Sequence, residues 1–319
     1  MCWVKKFSDV PECTEFFLNG STPNLPGILV NGTVPDQNRY KPICQLFKYM
    51  KQKVVYNTYR FATLYDTTNR IPVFSAYTFT GVGSSGKRPV TWMIEPQLDG
   101  GEEPVMILEK QGVTYTHQAV NQDYDIDGKN KKVNKGHMFP KSFAHQPVIQ
   151  SSTFTLTNAV PQVKTFNGGS WGTMECNVRK ILLKQCLDNN VIKAYVVTGA
   201  VPSKSNNNKL NNRVNIPDIM WTAYCCYNSV KKEWMAKAHW GVNQEEPNKQ
   251  VLDPHPLSDL YDMLKQHYPG GDVQVFADQC PRGSSQKERE KSREREVGSG
   301  DVSRKGLMEC DEDCKCVSL

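Results

Sequence analysis

Asn134-Lys135-Gly136-His137, then Thr157-Asn158-Ala159-Val160-Pro161-Gln162, then Asn167, Trp171 and Glu175, form the stretch on which the fold of this chain turns. In a short span it supplies a base, a cation, neutral oxygen ligands and a carboxylate. Such an inventory suits the cutting of a phosphodiester with a hard metal ion. The carboxylate sits on the clearest helix of the sequence, from about Trp171 to Cys186, with Ser170 as its expected N-cap. Trp171, Met174, Val178, Ile181 and Leu182 recur at helical spacing and make one apolar stripe. At 100° per residue Glu175 falls inside that stripe. An inward carboxylate is costly unless paired or metal-linked.

His137 follows a glycine that allows tight backbone, and Lys135 lies two residues before it. An imidazole with its ordinary pKa of ~6.5 can take a proton from water at neutral pH. The neighbouring Lys135 cation favours the neutral ring. His145 has no such neighbours and reads as a packing histidine. Asn158 and Asn167 offer amide oxygens. Asparagine is ordinarily a turn former, and Asn167-Gly168-Gly169 reads as a turn on its own; the combination with His137 and Glu175 lifts it.

The chain has 319 residues, 38% of them hydrophobic, and a formal net charge of +6. That is enough for one large core or two small ones. Pro281 to Leu319 holds nine basic and nine acidic residues, so the excess positive charge sits on the body. A mildly basic body suits a polyanionic partner. No apolar run approaches the ~20 residues that span a bilayer. The 11 cysteines are not spaced as zinc pairs. Those from Cys13 to Cys280 are scattered as disulfide partners are. Two sequons, at Asn19 and Asn31, point the same way. We expect an oxidising, extracellular compartment, with the signal peptide lying outside this chain.

Phe61–Tyr65 and Val73–Phe79 read as a hairpin around the turn-like Tyr65–Arg70. Further strands are expected at Thr153–Thr157, Ala194–Thr198, Trp221–Tyr227 and Trp234–Trp240. Ser203–Asn212 reads as a surface loop and Pro256–Gln266 as a short helix. Gly81-Val82-Gly83-Ser84-Ser85-Gly86 matches a dinucleotide fingerprint literally, but the extended, proline-bearing run after it rules out the helix that motif needs. From about Gly283 the charge-dense, apolar-poor sequence reads as a disordered tail, giving a domain over 1–281 and a tail over 282–319. The C-terminal Cys316-Val317-Ser318-Leu319 fits a prenylation box poorly.

Taken together, Asn158 to Gln162, Asn167, Trp171 and Glu175 resemble, position for position, a motif of the DNA/RNA non-specific endonucleases. Asn134-Lys135-Gly136-His137 is similar to that family's Asp-Arg-Gly-His, and Tyr195 to Gly199 to a later strand. The N-terminal half resembles the endonuclease domain-containing 1 group at Cys13 to Phe17, Ile43 to Gln45, Ile71 to Tyr77 and Phe139-Pro140. The resemblance spans about residues 8 to 280. It implies an α+β, ββα-metal (His-Me finger) fold with a mainly antiparallel sheet. It implies a general base at His137, a magnesium (or manganese) ligand at Asn167, a water-ordering carboxylate at Glu175 and a supporting Asn158. A transition-state arginine falls on Arg88, ahead of Trp92 and Pro96. Lys135, Arg88 and Lys141 would meet the DNA or RNA backbone. The departure is Asn134-Lys135 in place of Asp-Arg. Lysine is a mobile point charge where arginine is a rigid fork, and the aspartate that could hold cation or histidine is gone. A slowed enzyme is the expectation. A weak or inactive pseudonuclease, acting as a nucleic-acid-binding or secreted interaction glycoprotein, stands as the alternative.

Overall fold

A computed structural model describes residues 3–84, 86, 89, 91–127, 131–248 and 250–283. The main elements in chain order are β1 (Tyr40–Lys51), β2 (Val54–Asp66), β3 (Ile71–Phe79), α1 (Asn121–Asp127), β4 (Val133–His137), β5 (Ala159–Val163), α2 (Gly172–Gln185), β6 (Ala194–Val201), β7 (Ile219–Asn228), β8 (Glu233–Val242) and α3 (Leu257–Lys265). Six strands form one antiparallel sheet in the order β1-β2-β3-β6-β7-β8, and β4 pairs with β5 apart from it.

The sheet has a core on each face, because strand side chains alternate between faces. On β7, Met220, Tyr224 and Cys226 join the layer that holds β4, β5 and α2. Trp221, Ala223 and Cys225 join the layer that holds the N-terminal segment and α3. Adjacent cysteines therefore serve opposite layers. Cys226 bonds Cys186 at the end of α2, while Cys225 bonds Cys280. Cys13–Cys44 ties the N-terminal segment to β1. The Cys186–Cys226 bridge pins the helix carrying Glu175 to the sheet.

Most expected elements are present. The β2–β3 hairpin turns on Asp66, whose carboxylate accepts from the backbone of Thr68 and Asn69. The helix expected from Pro256 runs Leu257–Lys265. Two readings change. Thr153–Thr157 is not a strand: Thr155 makes one bridge to Met93, and Leu156–Asn158 is a 3-10 turn. Its threonine hydroxyls turn inward to polar partners, Thr155 to Thr157 and Thr157 to Gln45, instead of lining a ladder. And β1 with the outer half of β2 is a long hairpin that the lysine-interrupted run Leu46–Tyr59 did not announce. The described part of the 81–86 loop carries no helix, in keeping with the rejected dinucleotide motif. The tail beyond 283 lies outside the described residues.

Candidate active site

Antiparallel pairing sets His137 opposite Ala159, Lys135 opposite Pro161 and Asn134 opposite Gln162. Alternation puts Lys135 and His137 on one face of β4 and Gly136 on the other. Gly136 is glycine because Gln162 fills the space its side chain would need: an added Cβ would run into Gln162 Oε1. Gln162 is fully buried, and neither amide atom has a hydrogen-bond partner among the described residues. Such a group commonly meets a water or an ion.

The His137 ring is packed between Trp92 and Phe154, at centroid distances of 4.5 and 4.7 Å. Both neighbours are buried, so the orientation of the imidazole is fixed by packing. Lys135 reaches a different neighbourhood. Its ammonium lies 5.4 Å from the centre of the Tyr124 ring and 3.9 Å from Asp125 on α1. Burial draws its pKa down, with Asp125 and Glu109 opposing. Lys135 thus has a carboxylate neighbour in Asp125, ten residues before it, at the outer limit of an ion pair.

Asn158 is buried and fully committed. Its Oδ1 accepts from Ser75 Oγ and the Phe139 amide, each at 2.9 Å, and its Nδ2 donates to Phe139 and Thr153 carbonyls at 3.2 and 2.9 Å. No capacity is left for a metal. It braces the chain leaving His137 against the sheet, through a buried chain of Gln45, Thr63 and Ser75. Lys141 donates to the Gly86 carbonyl at 2.8 Å and so holds Gly86 in place. Arg88 lies outside the described residues.

After β5 the chain turns straight into helix. Lys164–Phe166 is helical, Asn167–Trp171 forms a π turn and α2 continues from Gly172. Ser170 is therefore not an N-cap: Trp171 before Gly172 is itself helical. The Ser170 amide and hydroxyl instead donate to the Glu246 carboxylate. Glu246 approaches so closely that a Cβ on Gly169 would lie 2.7 Å from its Oε2. Asn167, at the head of the π turn, is half-buried.

Glu175 is turned inward as its place in the stripe requires. The residue keeps slight contact with solvent, but its carboxyl group is enclosed, and burial pushes its pKa up to about 8. The Trp171 indole N–H, 2.9 Å from Oε1, and the Arg179 cation one turn on both oppose that rise. They do not cancel it. A buried carboxyl this reluctant to ionise has room for a further positive charge. Among the described residues no three His, Cys, Asp or Glu side chains gather as a metal cage. By donor chemistry, the amide oxygen of Asn167 suits a hard ion that keeps most of its waters, and the Glu175 carboxyl suits ordering such waters.

Trp92, Phe154, Tyr124, Asp125, Arg179 and Glu246 carry no role that the sequence announced. For Arg179 a signal existed, since it stands four residues after Glu175 on a helix. The others arrive from distant segments and carry no local signature.

The profile of the DNA/RNA non-specific endonuclease family matches residues 45–260. Two curated relatives, both described as endonuclease domain-containing 1 protein, are 30% identical to this chain. The human one aligns over 67% of the chain and 39% of its own length. The mouse one aligns over 84% and 47%. The chain thus spans less than half the length of either relative. Among solved structures, a chain from the crystal structure of the EndoG/EndoGI complex, on the mechanism of EndoG inhibition, aligns with a TM-score of 0.51 at 17% identity. The alignment covers 75% of this chain and 91% of that one. That likeness concerns the fold: α+β, with the ββα-metal unit formed here by β4, β5 and α2. The three disulfides given above, all between described residues, are consistent with an extracellular protein.

Proposed function

Because this chain belongs to the DNA/RNA non-specific endonuclease family, we propose that it is a metal-dependent endonuclease. It hydrolyses phosphodiester bonds of DNA or RNA without regard to sequence. The observation that carries this reading is the enclosed Glu175 carboxyl at the start of α2, the helix that follows the β4–β5 pair bearing His137.

His137 takes a proton from the attacking water on an imidazole nitrogen. The new P–O bond forms as the scissile one breaks, and the departing oxygen regains a proton from solvent. Trp92 and Phe154 keep the ring in one orientation and exclude bulk water from its faces. Asn167 would hold a magnesium or manganese ion, with Glu175 ordering its waters; when bound, the ion would neutralise charge on the phosphate oxygens and the leaving oxygen. Lys135, Lys141 and Arg88 would meet the backbone phosphates, so binding is blind to sequence and weakens with salt. Asn158 acts only through the loops it braces.

A second reading has an observation of its own. The Lys135 charge is partly spent on Asp125 and Tyr124, which favours a protein that binds nucleic acid and turns over weakly or not at all. Nicking of supercoiled plasmid in magnesium separates the two. The endonuclease reading expects nicking that His137→Ala lowers at least ~100-fold, the usual loss of a general base. Asn134→Asp with Lys135→Arg should raise the wild-type rate, by up to about a hundredfold. Equal nicking by wild type and His137→Ala would sink the enzyme reading.

A further inference from the structure

The outer half of the β1–β2 hairpin belongs to none of the machinery above. β3 pairs with β2 only from Ala62 onward, and β1 is the sheet edge. Phe47–Lys51 and Val54–Thr58 therefore pair with each other alone, as a two-stranded ribbon. At about 3.4 Å per residue it projects roughly 17 Å. From Phe47 to Phe61 the sequence holds Lys48, Lys51, Lys53 and Arg60 and no Asp or Glu. The three lysines are exposed, and the tip also shows Met50, Val54, Val55 and Tyr56 to solvent.

Two features show that this ribbon is shaped. Gln52 and Lys53 form its turn with φ of 50° and 64°. Two-residue turns of this kind ordinarily take Asn-Gly, because residues with a Cβ are strained there. Here the strained position holds a lysine at the very tip, and such strain is a pointer to function. At the base, the register slips between Gln45 and Leu46, so that Arg60 is the extra residue of a β-bulge. Bulges re-aim side chains. The Arg60 guanidinium lies 5.1 Å over the Tyr49 ring, which itself stacks on Tyr56 at 5.2 Å. Its charge also reaches His145, where it adds to burial in lowering the histidine's pKa. The ribbon's base thus adjoins the segment that leaves His137. Lys48 lines a cleft of about 470 Å³ with Glu103, Ile107 and Lys110. Ile107 pairs with Ile94, two residues from the Trp92 that packs on His137.

We propose that this ribbon is a duplex-gripping arm, which enters one groove of double-stranded nucleic acid beside the active site with Lys48 on one face, Lys51 and Arg60 on the other and Lys53 at the tip, each against phosphates. The proposal rests on the endonuclease reading for the choice of polyanion. A two-stranded ribbon fits a major groove about 12 Å wide. The apolar tip resembles the wedges with which groove-binding arms contact base steps. The absence of any carboxylate on the ribbon gives the charge complementarity a polyphosphate requires.

The test uses the full chain carrying His137→Ala, so that binding is read apart from cleavage, with and without Lys48→Gln, Lys51→Gln and Lys53→Asn together. All three sites are exposed, and asparagine tolerates the positive φ at 53. Fluorescence anisotropy with a labelled duplex of about 24 base pairs should show affinity falling on the order of a hundredfold at ~0.1 M salt. The slope of log affinity against log salt should shrink by about 2 to 3, at ~0.9 for each phosphate that the lysines no longer neutralise. In the His137-intact background, hydrolysis of bis-p-nitrophenyl phosphate, too small to reach the ribbon, should not change. Unaltered duplex affinity and salt slope in the triple variant overturn the arm. So does a loss of binding to phosphatidylserine vesicles with duplex binding intact, which would make the ribbon a lipid-binding surface. Absence of duplex binding in the unsubstituted ribbon also overturns it. Duplex binding that depends on the lysines, in a protein that never nicks plasmid, sinks only the hydrolase reading and leaves the arm standing.

Discussion

Replacing Glu175 by glutamine isolates the carboxyl on which the site depends. In the unfolded chain this group titrates near 4.5, whereas in the fold it holds its proton up to about 8. Between those values the folded state binds more protons than the unfolded one, so stability falls as pH rises. The contribution is fully present below the unfolded value and is lost as pH climbs through the folded one. At about 1.4 kcal/mol per pH unit the full span is worth on the order of 5 kcal/mol. Glutamine keeps the shape and can still accept from the Trp171 indole N–H, but it has no proton to lose. In magnesium-free buffer with EDTA, the wild-type Tm should drop relative to Glu175→Gln between about pH 5 and 8, the window set by those two values. About 5 kcal/mol corresponds to roughly 10 to 20 °C in a large domain. Other groups titrate in both proteins and cancel in the difference; Asp99, for one, is held below its ordinary value by bonds from Gln118, His117 and Thr116 that outweigh its burial. Adding magnesium at the upper end of that range should restore wild type and leave the glutamine variant unmoved. Parallel Tm-against-pH curves for the two proteins would refute the argument that the carboxyl is buried without sufficient countercharge.

Asn158→Ala removes four buried hydrogen bonds; at about 1 kcal/mol each, urea denaturation should show a loss on the order of 4 kcal/mol, the same with and without magnesium. Gly136→Ala drives a methyl into Gln162, an overpacking that costs about 1 to 3 kcal/mol; plasmid nicking should fall with it as β4 shifts His137. Gln52→Asn with Lys53→Gly relieves the left-handed strain at the ribbon tip and should raise stability by about 1 kcal/mol or more, read as a Tm gain of a few degrees.

Residue type and spacing were sufficient for what depends on neighbours along the chain. The 3.6-residue stripe from Trp171 to Leu182 located α2 and turned Glu175 inward, and the structure encloses that carboxyl as the stripe requires. The run Ile219–Asn228 was legible because a strand covered on both faces is apolar or aromatic nearly throughout. Asn158 was marked, but local sequence could not tell a ligand from a brace. That was decided by Ser75, Phe139 and Thr153, which use up its amide.

Long-range packing decided the rest. The carboxylate beside Lys135 is Asp125 on another element, and the N-terminal turn of the helix is met by Glu246, 76 residues after Ser170. The aromatic walls of His137 come from segments 45 residues before and 17 after it, joined by the Met93–Thr155 bridge. Spacing along a chain carries the period of a helix or strand, because that period is a local property of the backbone. It carries no record of which distant carboxylate or ring will fill a space. The partners that set the charge on Lys135, the enclosure of Glu175 and the orientation of His137 exist only once the sheet, β4–β5 and α2 have packed together.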